Sequence, residues 1–517
     1  MHYIEGVVSQ SKSQLRMNIL CAYFSTCCRI PSISLYWFDP LMKTAKLPAK
    51  SFHQGLVLLL ISLAAFMCAL DTTIVNISLP SISKYFSSDI ATVSWVSISY
   101  LLVLSSTLIT FGRVADIRGY KKIYLAGFAI FTIGSLACGL SSSVFMLIGF
   151  RVLEGAGAAM LQAIGGAMVV RYLPEKMRGT AFGILTTSAA VGLAAGTPLG
   201  GFLSQFYSWH WIFFVNIPVG IFAIILALTI LPHDNKEVAE ARFDLPGSGM
   251  LLIALVSFIF FLNMGTNLGW LSWGILASIA VSTAAWAGFI FNERKARRPL
   301  INLGFFRNRN FSMAVAVAML VLLMGQGSWY AFPFYLELEK GFAANIAGLI
   351  LLVPTILMMV CGPIAGFLSD RVGPRIISIL GSLALITAFL IFSIMGAKTT
   401  LTVIIVALAI EGIGIGLVMP ANFNLIMGMS TRGDEAVVSS VVNTVRNMGA
   451  VMGIAMVTLI FLSVLAAAGI SAANIDPHNL PMRALTYGFH AVFLFGVVTG
   501  GAILLLSLAM KNVKAPK

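Results

Sequence analysis

The stretch Gly112-Arg113-Val114-Ala115-Asp116-Ile117-Arg118-Gly119-Tyr120-Lys121-Lys122 decides how this chain is read. It is a short charged loop between two long apolar runs. A second copy stands far downstream, at Gly366-Phe367-Leu368-Ser369-Asp370-Arg371-Val372-Gly373-Pro374-Arg375. In both copies a Gly precedes the Asp by four residues, another Gly follows it by three, and basic residues come after. The repeat predicts two related halves, each turning at the same kind of loop.

Outward from the loops the chain is apolar almost throughout. It has 517 residues, 59% hydrophobic and 10% charged, where a soluble domain is about 25% charged. Runs of about twenty apolar residues recur, each long enough to cross a ~30 Å hydrocarbon core as a helix. Most have no polar face, which excludes a soluble helical protein. The fold class is an all-α polytopic membrane protein. Fourteen spans are expected, at 55–79, 91–112, 123–141, 144–170, 180–204, 211–231, 247–267, 271–291, 311–336, 345–367, 375–394, 401–425, 436–465 and 487–510.

The formal charge is +14. In a soluble protein that would suggest nucleic acid; here it reads as the positive-inside signal of short loops. With the N-terminus cytoplasmic, Lys84, Lys340, Lys398 and Arg483 are the only basic residues outside, and Arg151 and Arg446 lie within spans. The other Lys and Arg, of 33 in all, fall on the cytoplasmic side. Both termini are therefore expected in the cytoplasm, with the protein in the plasma or inner membrane. Cys21, Cys27, Cys28, Cys68, Cys138 and Cys361 show no disulfide framework and no zinc spacing. Residues 1–41 read as an upstream extension ahead of a start at Met42, or as a surface anchor acylated at Cys27 and Cys28.

Subtracting spans seven and eight leaves two six-span halves with the repeated loop after the second span of each. Such pseudo-symmetric halves recur in secondary transporters. The expected organisation is an N-terminal tail (1–54), a six-helix bundle (55–231), a linker with two extra transmembrane helices (232–310), a second six-helix bundle (311–510) and a C-terminal tail (511–517).

Four blocks now carry a resemblance. They are Leu70-Asp71-Thr72-Thr73-Ile74-Val75-Asn76-Ile77-Ser78-Leu79-Pro80, the loop at 112–122, Arg151-Val152-Leu153-Glu154-Gly155-Ala156-Gly157, and the glycines Gly183, Gly192, Gly196, Gly200 and Gly201. Trp209-His210-Trp211-Ile212-Phe213-Phe214-Val215-Asn216-Ile217-Pro218 adds a further match. From about residue 55 to 510 the chain resembles the major facilitator superfamily, nearest the fourteen-span drug:proton antiporter group of EmrB/QacA type. The resemblance implies two six-helix bundles with a central cavity lined by spans one and four, proton-coupled efflux of amphipathic cations, and alternating access. It implies no cofactor. The group usually carries Gln where this chain has Glu154, and Gly-Pro where it reads Gly196-Thr197-Pro198.

Ionisable groups inside a bilayer are costly and mark function by default. Here they are Asp71, Arg151, Glu154, Glu411 and Arg446. Asp71 and Arg151 sit at similar expected depth, so proton coupling through an Asp71/Arg151 pair competes with a purely structural ion pair. Glu154, one turn from Arg151, reads as its counter-ion or as a second protonatable carboxylate. Glu411 reads as a substrate-cation or proton site, or as the partner of Arg446, which with Asn443 resembles a recurrent pattern of the group. Gly192, Gly196, Gly200 and Gly201 leave one helix face bare for close packing, and Pro198 favours a bend. In the loops Gly112, Arg113, Asp116, Arg118 and Gly119, with Asp370, Arg371 and Gly373, read as cytoplasmic gate latches. Trp95, Trp329 and Tyr330 read as interface aromatics, or as faces for lipophilic cations.

No phosphate-cradling Gly-x-x-x-x-Gly-Lys loop, catalytic triad or metal spacing is present, which points away from an enzyme and from direct ATP use. The expected partners are a small-molecule substrate, protons and the lipid bilayer, with no nucleic acid and a monomeric state. Competing readings are a transporter of one endogenous metabolite, a non-transporting membrane sensor and, with least support, a membrane enzyme.

Overall fold

Apolar runs without polar faces must satisfy their backbone internally, and a helix does so segment by segment. The computed structural model describes residues 49–232, 245–295, 303–427, 429, 435–468 and 481–510, and the proposed extension at 1–41 lies outside them. The chain divides into Met1–His53 and Gln54–Lys517, and the helices below belong to the second unit. In chain order they are α1 (Gln54–Phe86), α2 (Ile90–Arg118), α3 (Tyr120–Gly139), α4 (Val144–Tyr172), α5 (Glu175–Phe206), α6 (Trp211–Ile230) and α7 (Leu245–Leu268). They continue with α8 (Trp273–Lys295), α9 (Arg309–Phe334), α10 (Ala344–Ile350 continued as Leu352–Val372), α11 (Pro374–Phe392), α12 (Leu401–Met427), α13 (Glu435–Ala467) and α14 (Met482–Ala509).

Among the described residues, twelve helices are long and apolar enough to cross a membrane. The two long helices outside that set are α5, rich in Gly, Ala, Ser and Thr, and α7, whose apolar stretch is Gly249–Gly265. The first helix differs from expectation. It runs past residue 79 and through Pro80 to Phe86. Ile82 and Ser83 are fully buried, and Ser83 Oγ donates to the Ser88 carbonyl at 2.8 Å. That packing outweighs the ~3 kcal/mol that an interior proline costs.

The pairing of helices repeats with an offset of eight. α2 and α3 both pack on α4, and α3 on α6; α10 and α11 both pack on α12, and α11 on α14. α9 packs on α13, and α1 meets α5 through glycines. A Cβ on Gly192 would stand 2.5 Å from the Phe66 carbonyl oxygen, and one on Gly200 2.7 Å from that of Ile74. The second seam copies this, with Gly449 against the Met319 carbonyl and Gly453 against that of Leu323. Between the two sets the contacts are also reciprocal, α5 on α10 and α13 on α2. The two extra helices pack on each other, and α7 lies against both α2 and α13.

Contacts between the sets cluster at the end carrying the Ser87–Asp89 turn. Gly201 approaches the Ala344 carbonyl, Gly348 that of Thr197, and Tyr330 donates to the Ile90 carbonyl at 3.2 Å. Tyr330 is 1% exposed, so it is a buried bridge rather than an interface aromatic. Its ring makes it apolar enough for the core, while the hydroxyl shares the Ile90 carbonyl in the first turn of α2 with the helix's own bond. Helix α5 continues without a break through Pro198.

The opening repeat is a repeat in geometry too. Gly119 and Gly373 cap α2 and α10 with φ 99° and ψ 144°, and φ 98° and ψ 142°. Only glycine adopts such a conformation without strain. Two residues on, Lys121 Nζ donates to the carbonyls of Leu228 (3.2 Å) and Leu231 (2.5 Å) at the end of α6. At the equivalent place Arg375 donates to the Leu508 carbonyl (2.5 Å) at the end of α14. The stretches expected as loops are thus helical up to Arg118 and Val372 and again from Tyr120 and Pro374, because one glycine in each suffices to turn the chain. Each junction closes the last turn of its half's sixth helix with a cation, where the helix dipole favours one.

Candidate functional site

Three of the intramembrane charges meet. Asp71 on α1 and Glu154 on α4 both bind Nη1 of Arg151, at 2.8 and 2.7 Å. Close glycine seams set this up: a Cβ on Gly155 would meet the Tyr100 carbonyl at 2.7 Å, and Gly134 of α3 lies against the Glu154 backbone. With α2 and α3 drawn onto α4, Arg151 can reach further groups. Its Nε donates to the Val96 carbonyl at 3.0 Å, and its guanidinium carbon lies 4.1 Å over the Tyr100 ring. Charge, hydrogen bond and cation–π contact together offset the desolvation of a buried cation.

Sequence reading missed the groups that hold Glu154. Ser135 of α3 donates to its Oε1, the Cys138 thiol lies 3.5 Å from Oε2, and Asn216 Nδ2 donates to Ser135 Oγ at 3.2 Å. The signal was present as polar side chains inside apolar spans, with Asn216 inside a quoted block. Asp71, Glu154, Ser135 and Asn216 are fully buried and Arg151 is 1% exposed. The trio is therefore sealed within one set of helices. Asp71 is expected to compete directly for a cationic substrate; in this conformation no solvent reaches it.

Glu411 stands apart. It is fully buried on α12, and neither carboxylate oxygen has a hydrogen-bond partner. Gly412 and Gly416 fit it tightly against α10, and Gly414 against α11. Ser328 of α9 is the polar side chain facing it. The alternative expectation of an ion pair with Arg446 is not met: among the described residues Arg151 makes the ion pairs, and Arg446 Nε is buried without a partner. The two groups ride on α12 and α13, which pack mainly on other helices. Asn443 lies one turn before Arg446 and is half-buried.

Between the two sets of helices lies a small cavity. Thr73 and Asn76 of α1, Thr197 of α5, Trp329 and Pro333 of α9 and Thr355 of α10 line it. Its polar groups are neutral. Asn76 is held from behind by Ser97 of α2, which donates to Oδ1 at 2.7 Å.

The sequence model of the Major Facilitator Superfamily matches residues 61–454. The chain belongs to the major facilitator superfamily. It is 31% identical over 411 residues to the riboflavin transporter RibZ of Clostridioides difficile (strain 630), covering 79% of this chain and 88% of that one. It is 29% identical to the multidrug resistance protein Stp of Mycobacterium tuberculosis over 82% of this chain and 78% of that protein. Against the tetracenomycin C resistance and export protein of Streptomyces glaucescens it is 30% identical, over 78% and 76%. Among solved structures, a bacterial homologue of the human lysosomal transporter Spinster, inward-facing and unoccupied, covers 90% of the chain and 98% of itself, with a TM-score of 0.62 and 18% identity. The fold is shared at that level.

This facilitator is thus a multi-pass membrane transporter whose expected site residues fall into separate groups. Asp71, Arg151 and Glu154 converge, while Glu411, Asn443 and Arg446 do not join them. Of the repeat residues, Gly112 faces Ala163 of α4 at ordinary contact distance, Arg118 is exposed, and Arg371 lies 4.2 Å over the Phe367 ring. The side chains of Arg113, Asp116 and Asp370 lie outside the described part of the structure. On α5 the bare face of Gly192, Gly196 and Gly200 meets α1, and Gly201 meets α10.

Proposed function

We propose that this facilitator is a proton-coupled exporter of amphipathic, cationic compounds, of the fourteen-span antiporter group, with both termini cytoplasmic in the plasma or inner membrane. The observation that carries the reading is the sealed Asp71–Arg151–Glu154 trio, three ionisable groups held in one dry cluster. Such groups are retained inside a membrane where they move charge or protons. In this reading α5 and α7 also span the bilayer, residues 55–231 and 311–510 are the moving bundles, and 232–310 joins them. Contacts at the Ser87–Asp89 end then close the outer side, and substrate enters from the cytoplasm.

Helix α1 links the two events. It presents Thr73 and Asn76 to the cavity between the bundles and Asp71 to the trio. Substrate at Trp329 and Asn76 therefore acts on the trio by shifting α1, not by displacing its proton. Glu411 is a second, isolated proton site in the other bundle. The glycine seam of α1 with α5 transmits the motion, and the helix ends that carry Asp116 and Asp370 latch the cytoplasmic side.

The test is transport in inverted vesicles with an imposed pH gradient and a panel of lipophilic cations and neutral drugs. Export should dissipate the gradient and follow its sign. Transport indifferent to the gradient sinks the reading. The likeness to a riboflavin transporter supports a second reading, a carrier of one neutral planar metabolite, with which the absence of charged side chains among the residues lining the cavity agrees. Strong preference for riboflavin over every cation in the panel would favour it.

A further inference from the structure

We propose that Glu154 is the member of the trio that takes up and releases the coupling proton, with Ser135 and Asn216 as positioning residues that serve it in both protonation states. The inference rests on the proton-coupled reading above.

The hydrogen bonds around Glu154 run one way. Asn216 Nδ2–H donates to Ser135 Oγ, whose own O–H donates to Glu154 Oε1. That is the arrangement of an ionised carboxylate. The other end of the amide, Asn216 Oδ1, is buried with no partner. An amide carries a donor end and an acceptor end. Turned over, Asn216 offers Oδ1 to the Ser135 hydroxyl. Ser135 Oγ is then free to accept from a protonated Glu154. The chain reverses without moving a helix: Ser135 keeps a partner on each side, and the unpartnered end of Asn216 changes from Oδ1 to Nδ2. Asp71 has no such hydroxyl relay: Oδ2 is fixed by Arg151, Oδ1 makes no hydrogen bond, and the Asn216 amide faces the carboxylate directly.

Charge balance agrees. The trio holds one cation and two carboxylates, so a single proton, drawn from water on the more acidic side and returned on the other, makes it neutral. The groups facing Glu154 are Arg151 on its own helix, Asp71 and Cys68 on α1, Tyr100 on α2 and Cys138 on α3. From α6 it is reached only through the amide of Asn216, by way of Ser135. Direction matters as well. Glu154 turns toward α3 and α6, whereas the cavity lies on the α1, α5, α9 and α10 side. Proton exchange and substrate binding are thereby kept on opposite faces of the α1–α4 pair.

The test needs no known substrate. The full chain is reconstituted in liposomes, with Glu411→Gln as background to remove that carboxyl; the buried Glu293 and Glu339 are common to every variant and cancel in the comparison. Infrared difference spectra are recorded across a pH titration. A protonated carboxyl band should appear as pH falls, persist in Asp71→Asn and vanish in Glu154→Gln. Ser135→Ala removes a donor from the ionised form, so the midpoint should rise by about 1–2 pH units, and Ser135→Thr should restore it. Asn216→Leu should shift it the same way. A band lost in Asp71→Asn but kept in Glu154→Gln overturns the assignment. An unmoved midpoint in Ser135→Ala, which folds as a small-for-small change, overturns the positioning role. If the band titrates as expected while vesicle transport ignores the pH gradient, the coupled reading has failed and the proton site has not.

Discussion

Replacing Gly196 by Ala adds one methyl group to the seam between α1 and α5, and its effect can be worked from the geometry. The new Cβ would overlap Thr73 Oγ1 and stand 2.9 Å from the Leu70 carbonyl oxygen and 3.0 Å from the Ile74 nitrogen. The hydroxyl can swing away, giving up its bond to the Leu70 carbonyl. The backbone atoms cannot, so α1 must back off by about half an ångström to reach ordinary contact. Overpacking of this kind costs about 1–3 kcal/mol, against about 1 kcal/mol gained in helix propensity. Gly183→Ala is the matched control, because a Cβ there meets nothing within 4 Å. It should gain the propensity alone. The two variants should therefore differ by up to about 3 kcal/mol, read as a lower thermal midpoint for Gly196→Ala by intrinsic fluorescence in detergent. Because the displaced turn of α1 carries Asp71, pH-driven transport should fall with it, and Thr73→Ala in the same chain should recover only part. Gly196→Ala as stable as Gly183→Ala would refute the claim that the seam is closed by backbone contact.

Three further expectations follow from the same structure. Lys121→Met uncaps the carbonyls of Leu228 and Leu231 at the end of α6 and should cost about 1–2 kcal/mol; Arg375→Met frees one carbonyl and should cost less, as compared by thermal unfolding. Glu411→Gln removes a carboxylate that no cation offsets, so stability should hold or rise while proton-driven transport falls, the reverse of a residue kept for packing. At the turn before α6, burial against Trp209 holds the His210 imidazole below its usual value, so it stays neutral to a lower pH. His210→Gln should accordingly leave the pH profile of transport unchanged above pH 6.5, the ordinary histidine value; a changed profile there would move proton sensing to the surface.

The fold was legible because its two strongest signals are one-dimensional. A run of apolar residues needs no partner to declare a helix, and the loops at Gly112 and Gly366 declare the repeat by their spacing. Contacts that depend on rotation about a helix axis were less legible. Asp71 and Arg151 could be matched in depth, but which face of α4 carries Glu154 toward α3 depends on how closely Gly134 and Gly157 let the helices approach. Ser135 and Asn216 look like incidental polar residues until that approach brings them into line. Tyr330 shows the same limit in reverse. Near a helix end it reads as a membrane-interface residue, and only the closing of α9 on α2 makes it a buried bridge. The run of α1 through Pro80 was hidden for a related reason: local propensity says stop, and tertiary packing of Ile82 overrides it.

The two bundles share their helix pairing and loop caps but not their charges, and this asymmetry carries the mechanism. In the first bundle a cation and two carboxylates sit in contact, so adding or removing one proton changes the cluster's charge while its geometry is held by Val96, Tyr100 and Ser135. In the second bundle Glu411 has no counter-charge and Arg446 Nε has no partner. A lone buried carboxylate is tolerated mainly as the neutral acid, so ionising it should demand rearrangement, as when α12 meets water or a cationic ligand. The first site suits a proton that is exchanged at low structural cost; the second suits a charge change tied to movement of the bundle. One sharp expectation follows: Asp71→Asn removes the ion pair that ties α1 to Arg151 while Glu154 still takes up its proton, so proton uptake should persist and its coupling to transport should stop. Substrate exchange without a gradient should continue, because the residues lining the cavity are untouched. Loss of exchange together with coupling would mean that α1 cannot serve as the link between trio and cavity.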